Sequence, residues 1–217
     1  MRQTKEMDSA QLKEELFQRY PKLKACDDDI EAAHKALVKC FKEGGRLMTA
    51  GNGGSAADSD HITGELTKSF LFKRPVGREV ASKLAEIYGD EGKKLSENLE
   101  GGLPAIPLTC MNAANTAFAN DTDPKSSFAQ LVNAIGKKGD VLMAISTSGN
   151  SENIVKAIMV AKAKGIVSIA LTGESGGKCR GLADICICAP EKETFKIQEL
   201  HLPIYHALCT MVEADLF

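Results

Sequence analysis

The sequence predicts an α/β fold, a three-layer αβα sandwich around a five-stranded parallel sheet. Three observations favour it: short apolar runs rich in branched residues alternate with longer helical stretches, polar turns follow the runs, and 217 residues suffice for one full core. Parallel strands need crossovers, so helices should cover both faces and functional loops should lie at the carboxyl ends of the strands. The predicted strands are residues 46–50, 105–109, 141–146, 167–172 and 185–189.

Residues 1–45 are predicted to form N-terminal helices before the first strand. Apolar side chains recur at helical spacing in two stretches, and two glycines, Gly44 and Gly45, end the second. Residues 76–102 interrupt the alternation with a charged helical segment, which we interpret as an insert or lid within a single domain of residues 1–217. The core-facing positions of the N-terminal helices are Leu12, Leu16, Tyr20, Ile30, Leu37 and Phe41.

The composition argues against nucleic-acid and membrane binding. The formal net charge is -2, from 27 basic and 29 acidic side chains, so no broad positive surface is expected. No apolar run is long enough to span a bilayer, and the polar residues 1–6 lead into no signal-peptide core. Seven scattered cysteines without a CxxC pair indicate buried, reduced thiols and a cytoplasmic protein.

A glycine-rich turn follows the first predicted strand. Residues 50–55, AGNGGS, lead into a helix, so free N–H groups and the positive helix end can face an anion or a hydroxylated ligand. The spacing Gly51-x-Gly53-x-x-Ala56 also fits a dinucleotide fingerprint. That alternative requires a strand ending in an acidic residue about 20 positions on. Residues 70–76 read FLFKRPV instead, so the anion site is favoured.

A serine-rich turn follows the third predicted strand and opens another helix. Residues 146–151, STSGNS, place four hydroxyls at a helix N-terminus, a phosphate cradle that needs neither lysine nor magnesium. Helix capping is the structural alternative, because serine and asparagine are preferred N-caps. One residue is enough for a cap, so four hydroxyls within six positions favour ligand binding.

Two groups of chemically reactive residues lie far apart in the chain. His61 and Glu65 are four positions apart on one helix, so they share a face and can bind a metal or act as an acid–base pair. A surface ion pair is the commoner outcome for such a pair. Gln198 and His206 lie on the last predicted helix with about 12 Å of rise between them, and Pro203 should kink that helix. His201 is left open between a structural and a functional role.

These segments together resemble the sugar isomerase (SIS) domain family, most closely its phosphoheptose isomerase branch. The resemblance implies a five-stranded sheet in flavodoxin-like doubly wound order and a homotetramer with active sites at subunit interfaces. It also implies one zinc ion per site. The matching segments are AGNGGSAADSDHITGELT (50–67), AND (119–121), GDVLMAISTSGNSENIVKAI (139–158), LTGESGGK (171–178) and IQELHLPIYH (197–206).

The resemblance further implies a reaction, the conversion of sedoheptulose 7-phosphate to D-glycero-D-manno-heptose 7-phosphate through an enediol, for heptose and lipopolysaccharide or other cell-surface polysaccharide biosynthesis. Glu65 and His206 are its implied acid–base pair. The implied zinc ligands are His61, Glu65, Gln198 and His206. The implied substrate contacts are Asn52, Gly53, Gly54, Ser55, Glu65, Asn120, Asp121, Ser146, Thr147, Ser148, Ser151 and Gln198.

Departures from the family pattern keep two alternatives open. Lys68 and Ser69 stand where the family has glycine and arginine, the insert at 76–102 is longer than usual, and residues 122–124 lack the usual glycine turn. The alternatives are an isomerase of another ketose phosphate, and a non-catalytic relative that binds sugar phosphate and the replication initiator protein. The presence of both Glu65 and His206 favours an enzyme, because a binding module needs no acid–base pair.

Overall fold

The computed structural model describes residues 7–217 of the chain. The part of the N-terminal predictions that concerns residues 1–6 lies outside the described residues. Over the described range, the strands form one parallel sheet with the strands in the order second, first, third, fourth, fifth, which confirms the predicted doubly wound fold. The strands are β1 (Leu47–Ala50), β2 (Ala105–Pro107), β3 (Val141–Ile145), β4 (Val167–Gly173) and β5 (Ile185–Ala189).

Helices precede the sheet and connect its strands. Short 3-10 turns at Pro21–Cys26, Leu108–Cys110 and Pro124–Ser126 join several of them. The helices are α1 (Ser9–Arg19), α2 (Asp27–Lys42), α3 (Gly54–Thr67), α4 (Arg78–Asn98), α5 (Asn112–Asp121), α6 (Ser127–Ile135), α7 (Glu152–Ala163), α8 (Cys179–Leu182) and α9 (Thr194–Leu216).

The sheet is buried on both faces, and its strands divide their side chains between two cores. Val141, Met143 and Ile145 of β3 pack in a core with α1, α2, α3 and α9. Leu142 and Ala144 pack in the opposite core with α6 and α7. This alternation follows from the two-residue period of a strand. It produces the predicted three layers, with α3 and α9 on the same face.

Three details differ from the sequence predictions. β2 ends at Pro107 and turns into a 3-10 helix, because proline cannot donate a ladder hydrogen bond. Tyr20 follows the end of α1, and it and Phe41 are only partly buried beside the core. The thiol of Cys110 is exposed, whereas the other cysteines are buried or half-buried; all seven lie in the described range as free thiols.

The insert at 76–102 contains α4, which is divided by a non-helical glycine. Gly89 has φ +58°, and a Cβ at Gly92 would lie 1.9 Å from the carbonyl oxygen of Leu84, so the two halves approach each other closely. Ile87 and Tyr88 are exposed on this helix. No helix within residues 7–217 combines the length and apolar character needed to cross a membrane.

A buried ion pair fastens the segment after α3 to the last helix. The side chains of Arg74 and Glu213 are both fully buried, and Arg74 Nε donates to Glu213 Oε1 at 2.5 Å. The Glu213 carboxylate also accepts the backbone N–H groups of residues 70, 71 and 72. The Arg74 guanidinium donates to the carbonyl oxygens of Glu65 and Leu66 at the end of α3. The pair thereby holds the end of α3 against α9.

We expect Glu213→Gln to lower the free energy of unfolding by about 3–5 kcal/mol, because it leaves the buried Arg74 charge uncompensated. Urea denaturation followed by circular dichroism measures this change. Glu79→Gln is the matched control, because Glu79 pairs with Lys83 on the exposed surface of α4 and little change is expected there. Equal stability losses in the two variants would contradict the structural role of the buried pair.

Candidate active site

The glycine-rich turn and the serine-rich turn lie side by side at one edge of the sheet. β1 and β3 are neighbours, and the chain leaves them toward opposite sides of the sheet, so a crevice opens between their carboxyl ends. α3 and α7 both begin at this crevice, and neither has a side-chain hydrogen bond at its N-cap. Their free N–H groups make the crevice suitable for an anion.

The first turn depends on its glycines. Gly53 is the N-cap of α3 and has φ +56°, a conformation that favours glycine. A Cβ at Gly51 would lie 2.2 Å from the carbonyl oxygen of Ser55, so the chain can turn this tightly only with glycine there. Ser55 itself is buried on the first turn of α3. The structure therefore places Gly53, Gly54 and Ser55 at the predicted anion site.

The hydroxyls of the serine-rich turn do not cap α7. The Ser146 hydroxyl donates to the Ser151 hydroxyl at 3.0 Å, and Ser151 precedes α7 without a side-chain cap bond. The Ser148 hydroxyl accepts the backbone N–H of Asn150 at 3.2 Å. Within the described residues, these hydroxyls therefore do not cap α7, although Asn153 Oδ1 accepts the N–H of Ile154 in its first turn. The hydroxyls of Ser146, Ser148 and Ser151 lie in the turn that leads into α7, where they could contribute to a phosphate cradle.

The loop after β4 supports the serine turn through direct backbone contact. Gly149 has φ +65°, and a Cβ there would lie 2.0 Å from the carbonyl oxygen of Gly176. The Gly173 N–H donates to the Thr147 carbonyl at 2.9 Å, and the Lys178 N–H donates to Asn150 Oδ1 at 3.1 Å. A cavity of about 580 Å³ beside these loops is lined partly by Thr147, Ser148 and Asn150.

A pair of asparagines ties the two turns together. Asn52 Nδ2 donates to Asn153 Oδ1 at 3.0 Å, and Asn153 Nδ2 donates to Asn52 Oδ1 at 2.8 Å. Sequence reasoning selected Asn52 as a sugar contact and missed Asn153, which is 101 residues away. The spacing of two such residues in sequence carries no signal of their contact. The pair fixes the start of α3 beside the start of α7.

α3 and α9 lie next to each other and run in the same direction. Gly54 is close to Gln198, since a Cβ at Gly54 would lie 2.5 Å from Gln198 Nε2. Seven residues further along α3, His61 Nδ1 lies 2.9 Å from the hydroxyl of Tyr205. His61 and Gly54 are about 10 Å apart along the helix axis. Gln198 therefore lies beside the start of α3, whereas His206 lies about two turns further along α9.

Three predicted residues meet about two turns along α3 from its start. His61 Nε2 lies 3.3 Å from Glu65 Oε1 and 3.5 Å from His206 Nε2. Lys68 Nζ lies 2.9 Å from Glu65 Oε2, so one carboxylate oxygen has an ammonium partner while the other faces the imidazoles. Burial, and then the neighbouring His61, lower the pKa of His206, which favours its neutral imidazole. The arrangement combines a carboxylate base with an imidazole proton donor.

Asp58 and Tyr205, which sequence reasoning did not select, support this cluster from behind. The buried Tyr205 hydroxyl donates to Asp58 Oδ1 at 3.3 Å and also contacts His61. Burial raises the pKa of Tyr205 well above its ordinary value, so the phenol keeps its proton at pH 7. Burial also raises the pKa of Asp58, against the opposing effects of the Tyr205 hydrogen bond and of His61.

The donor chemistry of the cluster fits zinc, which binds imidazole nitrogens and carboxylate oxygens. The 3.3 and 3.5 Å separations are close to the roughly 3.3 Å between ligand atoms around a tetrahedral ion with bonds of about 2.0–2.1 Å. As the side chains stand, however, no three His, Cys, Asp or Glu side chains of the described range are arranged to hold a metal ion. Zinc binding therefore requires these side chains to turn toward a common point.

Several other predicted residues lie apart from the cluster. Asn120 and Asp121 are exposed at the end of α5, where the Asn120 amide donates to Asp121 Oδ1 at 2.8 Å. His201 is fully buried, its Nε2 lies 3.1 Å from the Thr172 carbonyl oxygen, and burial lowers its pKa to about 4. His201 therefore has a structural role. A cavity of about 440 Å³ adjoins His206 on the side of α1.

Comparison with known proteins identifies relatives over most of the chain. The model of a family described as SIS domain matches residues 14–101 and 100–173. Phosphoheptose isomerase 2 of Campylobacter jejuni is 41% identical over 188 residues, 87% of this chain and 81% of that protein. Phosphoheptose isomerase of Aneurinibacillus thermoaerophilus is 39% identical over 188 residues, 87% and 82% of the two chains.

Solved structures include similar folds. The structure of phosphoheptose isomerase GmhA from Neisseria gonorrhoeae resembles this chain with a TM-score of 0.71 and 30% sequence identity. The similarity covers 95% of this chain and 93% of that one, so the N-terminal helices and α9 both belong to the shared architecture.

We expect Gly149→Ala to weaken binding of inorganic phosphate by about tenfold or more. The alanine meets the Gly176 carbonyl in a left-handed conformation, at a cost of order 1–3 kcal/mol that displaces the serine turn. Isothermal titration calorimetry measures the affinity. Gly181→Ala is the matched control, because a Cβ at Gly181 meets no atom within 4 Å. Phosphate binding that is equally strong in both variants would contradict the assignment of this turn.

Proposed function

Because this chain belongs to the SIS domain family, and within it to the phosphoheptose isomerases, we propose that it interconverts sedoheptulose 7-phosphate and D-glycero-D-manno-heptose 7-phosphate. The protein is an aldose–ketose isomerase of heptose phosphates. As part of the proposal, it works in the cytoplasm and supplies heptose for lipopolysaccharide or other cell-surface polysaccharide.

One observation carries the proposal: a carboxylate and two imidazoles meet about two helical turns from a pair of uncapped helix ends. Glu65, His61 and His206 form the first group, and the starts of α3 and α7 form the second. A heptose 7-phosphate carries its phosphate at one end of a seven-carbon chain and its reacting carbons at the other. The roughly 10 Å between the two groups matches a substrate of that kind.

The mechanism follows from the proton transfers that isomerisation requires. After the sugar ring opens, Glu65 accepts a proton from C1 while His206 donates a proton to the C2 oxygen, which gives the enediol. Glu65 then returns its proton to C2, and His206 recovers a proton from the C1 oxygen, which gives the aldose. Lys68 binds the second carboxylate oxygen of Glu65 at 2.9 Å and so holds the carboxylate with Oε1 toward the imidazoles.

The phosphate would be held at the opposite end by backbone and hydroxyl donors. The proposal assigns it to the N–H groups at the starts of α3 and α7, with Ser55, Ser146, Thr147, Ser148 and Ser151 around them. Asn52 is held by Asn153, so its amide would reach the sugar only by exchanging that contact. Binding energy gathered at the phosphate then orients the distant C1 and C2 for proton transfer.

The proposal also includes a zinc ion, which the resemblance implies. His61, Glu65 and His206 would hold it, and a bound zinc ion supplies charge stabilisation to developing oxyanions. Gln198, the fourth ligand implied by the resemblance, lies beside Gly54, and the proposal keeps it as the fourth ligand.

We further propose a homotetramer with active sites between subunits. Asn120 and Asp121 make no hydrogen bond to the His61 group within the described part of one chain. In the proposed assembly, a neighbouring copy would bring its own Asn120 and Asp121 to the substrate. The exposed Ile87 and Tyr88 on α4 supply apolar surface for such contacts.

We expect Glu65→Gln to reduce turnover of sedoheptulose 7-phosphate by about 10²–10⁴-fold, because the amide cannot accept the C1 proton. Proton NMR of the aldose product measures turnover, and circular dichroism verifies folding. Glu15→Gln is the control, since Glu15 lines the neighbouring cavity on α1. Full turnover in Glu65→Gln would remove Glu65 from the mechanism. Absence of turnover on five-, six- and seven-carbon ketose phosphates in the unaltered protein would support a binding role.

Equilibration with zinc followed by desalting should leave about one zinc per chain, measured by mass spectrometry of the metal. His61→Ala should lose this zinc, because it removes the imidazole nitrogen nearest both Glu65 and His206. His34→Asn is the control, since His34 is buried on α2, where it contacts Asp215 and none of the proposed zinc ligands. An unaltered protein that retains no zinc would contradict this part of the proposal.

A further inference from the structure

Tyr205 and Asp58 contact the side of His61 that faces away from Glu65 and His206. We propose that Tyr205, oriented by Asp58, is a positioning residue that keeps the His61 proton on Nδ1, so that the Nε2 lone pair faces Glu65 and His206. The role in catalysis rests on the proposed function, whereas the position of the proton can be measured without it.

The first step of the argument is a count of donors and acceptors. A phenol has one proton, and an ionised carboxylate can only accept hydrogen bonds. Because the Tyr205 hydroxyl donates to Asp58 Oδ1, it has no proton left for His61. The distance of 2.9 Å between His61 Nδ1 and this hydroxyl fits either atom as donor, and the proposal assigns the proton to His61 Nδ1. A neutral imidazole that is protonated on Nδ1 carries a lone pair on Nε2.

The second step concerns what that lone pair meets. His61 Nε2 lies 3.5 Å from His206 Nε2, so a neutral His206 can donate its Nε2 proton to His61. Glu65 Oε1 lies 3.3 Å from the same His61 nitrogen, and both atoms are acceptors in this tautomer. Two facing acceptors favour a proton or a cation between them. The tautomer therefore leaves a position for a positive charge beside the proposed base.

The third step concerns the burial of the Asp58 carboxylate. Its second oxygen, Oδ2, is buried and has no hydrogen-bond partner within residues 7–217. A buried acceptor without a partner lowers stability, so the presence of a carboxylate at this position suggests that its other oxygen has a role. Among the described residues, the Asp58 carboxylate has one hydrogen bond, which it accepts from Tyr205. The role of Asp58 is therefore to orient the Tyr205 hydroxyl.

The Tyr205 ring packs against both imidazoles, and this allows a clean test. Its centroid lies 5.5 Å from that of His61 and 5.0 Å from that of His206, in edge-to-face arrangements. Tyr205→Phe keeps the ring and removes only the hydroxyl. Tyr88→Phe makes the same chemical change on the exposed face of α4 and serves as the matched control.

Long-range ¹H–¹⁵N correlation spectra of histidine-labelled protein report which ring nitrogen carries the proton. The chain has four histidines, so single substitutions assign each signal. Chelator-treated protein at about pH 8.5, roughly two units above the ordinary imidazole pKa, shows the neutral tautomers. We expect His61 to be protonated on Nδ1 in the unaltered protein and in Tyr88→Phe.

The two test variants should differ in direction. In Asp58→Ala the phenol is free to donate to His61 Nδ1, so the His61 proton should move to Nε2. In Tyr205→Phe neither nitrogen has a fixed partner on that side, so a mixture of tautomers is expected. A His61 proton on Nε2 in the unaltered protein, or an unchanged tautomer in both variants, would overturn the proposal.

Kinetics test whether the tautomer serves the reaction. Tyr205→Phe should lower kcat for heptose phosphate by about 10–100-fold, a range seen when a residue behind a catalytic or metal-binding histidine is removed, with KM close to normal. A normal kcat would overturn the positioning role. If the unaltered protein turns over no heptose phosphate, the proposed function fails, and the spectra still decide where the proton lies.

Discussion

The buried ion pair between Arg74 and Glu213 is the constraint on which the candidate site depends. It holds the end of α3 against the last helix, and its guanidinium binds the carbonyl oxygen of Glu65 directly. Because α3 and α9 then run side by side, His61 faces Tyr205 and His206 across the helix pair. A buried pair of this kind adds little stability over apolar side chains of similar size. Its effect here is to fix the position of two helices.

The anion end of the site is built mainly from backbone. The chain has a net charge of -2, and the loops at the carboxyl ends of β1 and β3 use helix N-termini and hydroxyls in place of a basic patch. Such a site depends on close approach of one backbone to another, which explains the glycines at positions 149 and 177: a Cβ at either would lie within 2.4 Å of a backbone carbonyl oxygen. In the proposed function, the two ends of the site therefore act differently: fixed backbone dipoles would bind the phosphate, and titratable side chains would act on the reacting carbons.

Sequence reasoning found the residues whose chemistry is visible within a short segment. The glycine turn, the serine turn and the His61–Glu65 spacing all have local patterns, and the structure brings His61 and Glu65 to His206. It missed Asn153 and Tyr205, because each acts through a partner more than 100 residues away and an isolated asparagine or tyrosine has many uses. The resemblance also joins Gln198 to His206 as a zinc ligand; the structure places Gln198 beside Gly54, and its part in a metal site stays a prediction.

The sequence by itself determined the layered fold, because apolar runs with a two-residue period and helices with one apolar stripe have few ways to bury their surfaces. It also determined that the polar turns would lie at one edge of a parallel sheet. Only the tertiary structure decided how α3 and α9 align, and with it which atoms of His61 face the site. Helix alignment depends on side chains that are distant in sequence, such as Arg74 and Glu213, and local patterns carry no information about such contacts.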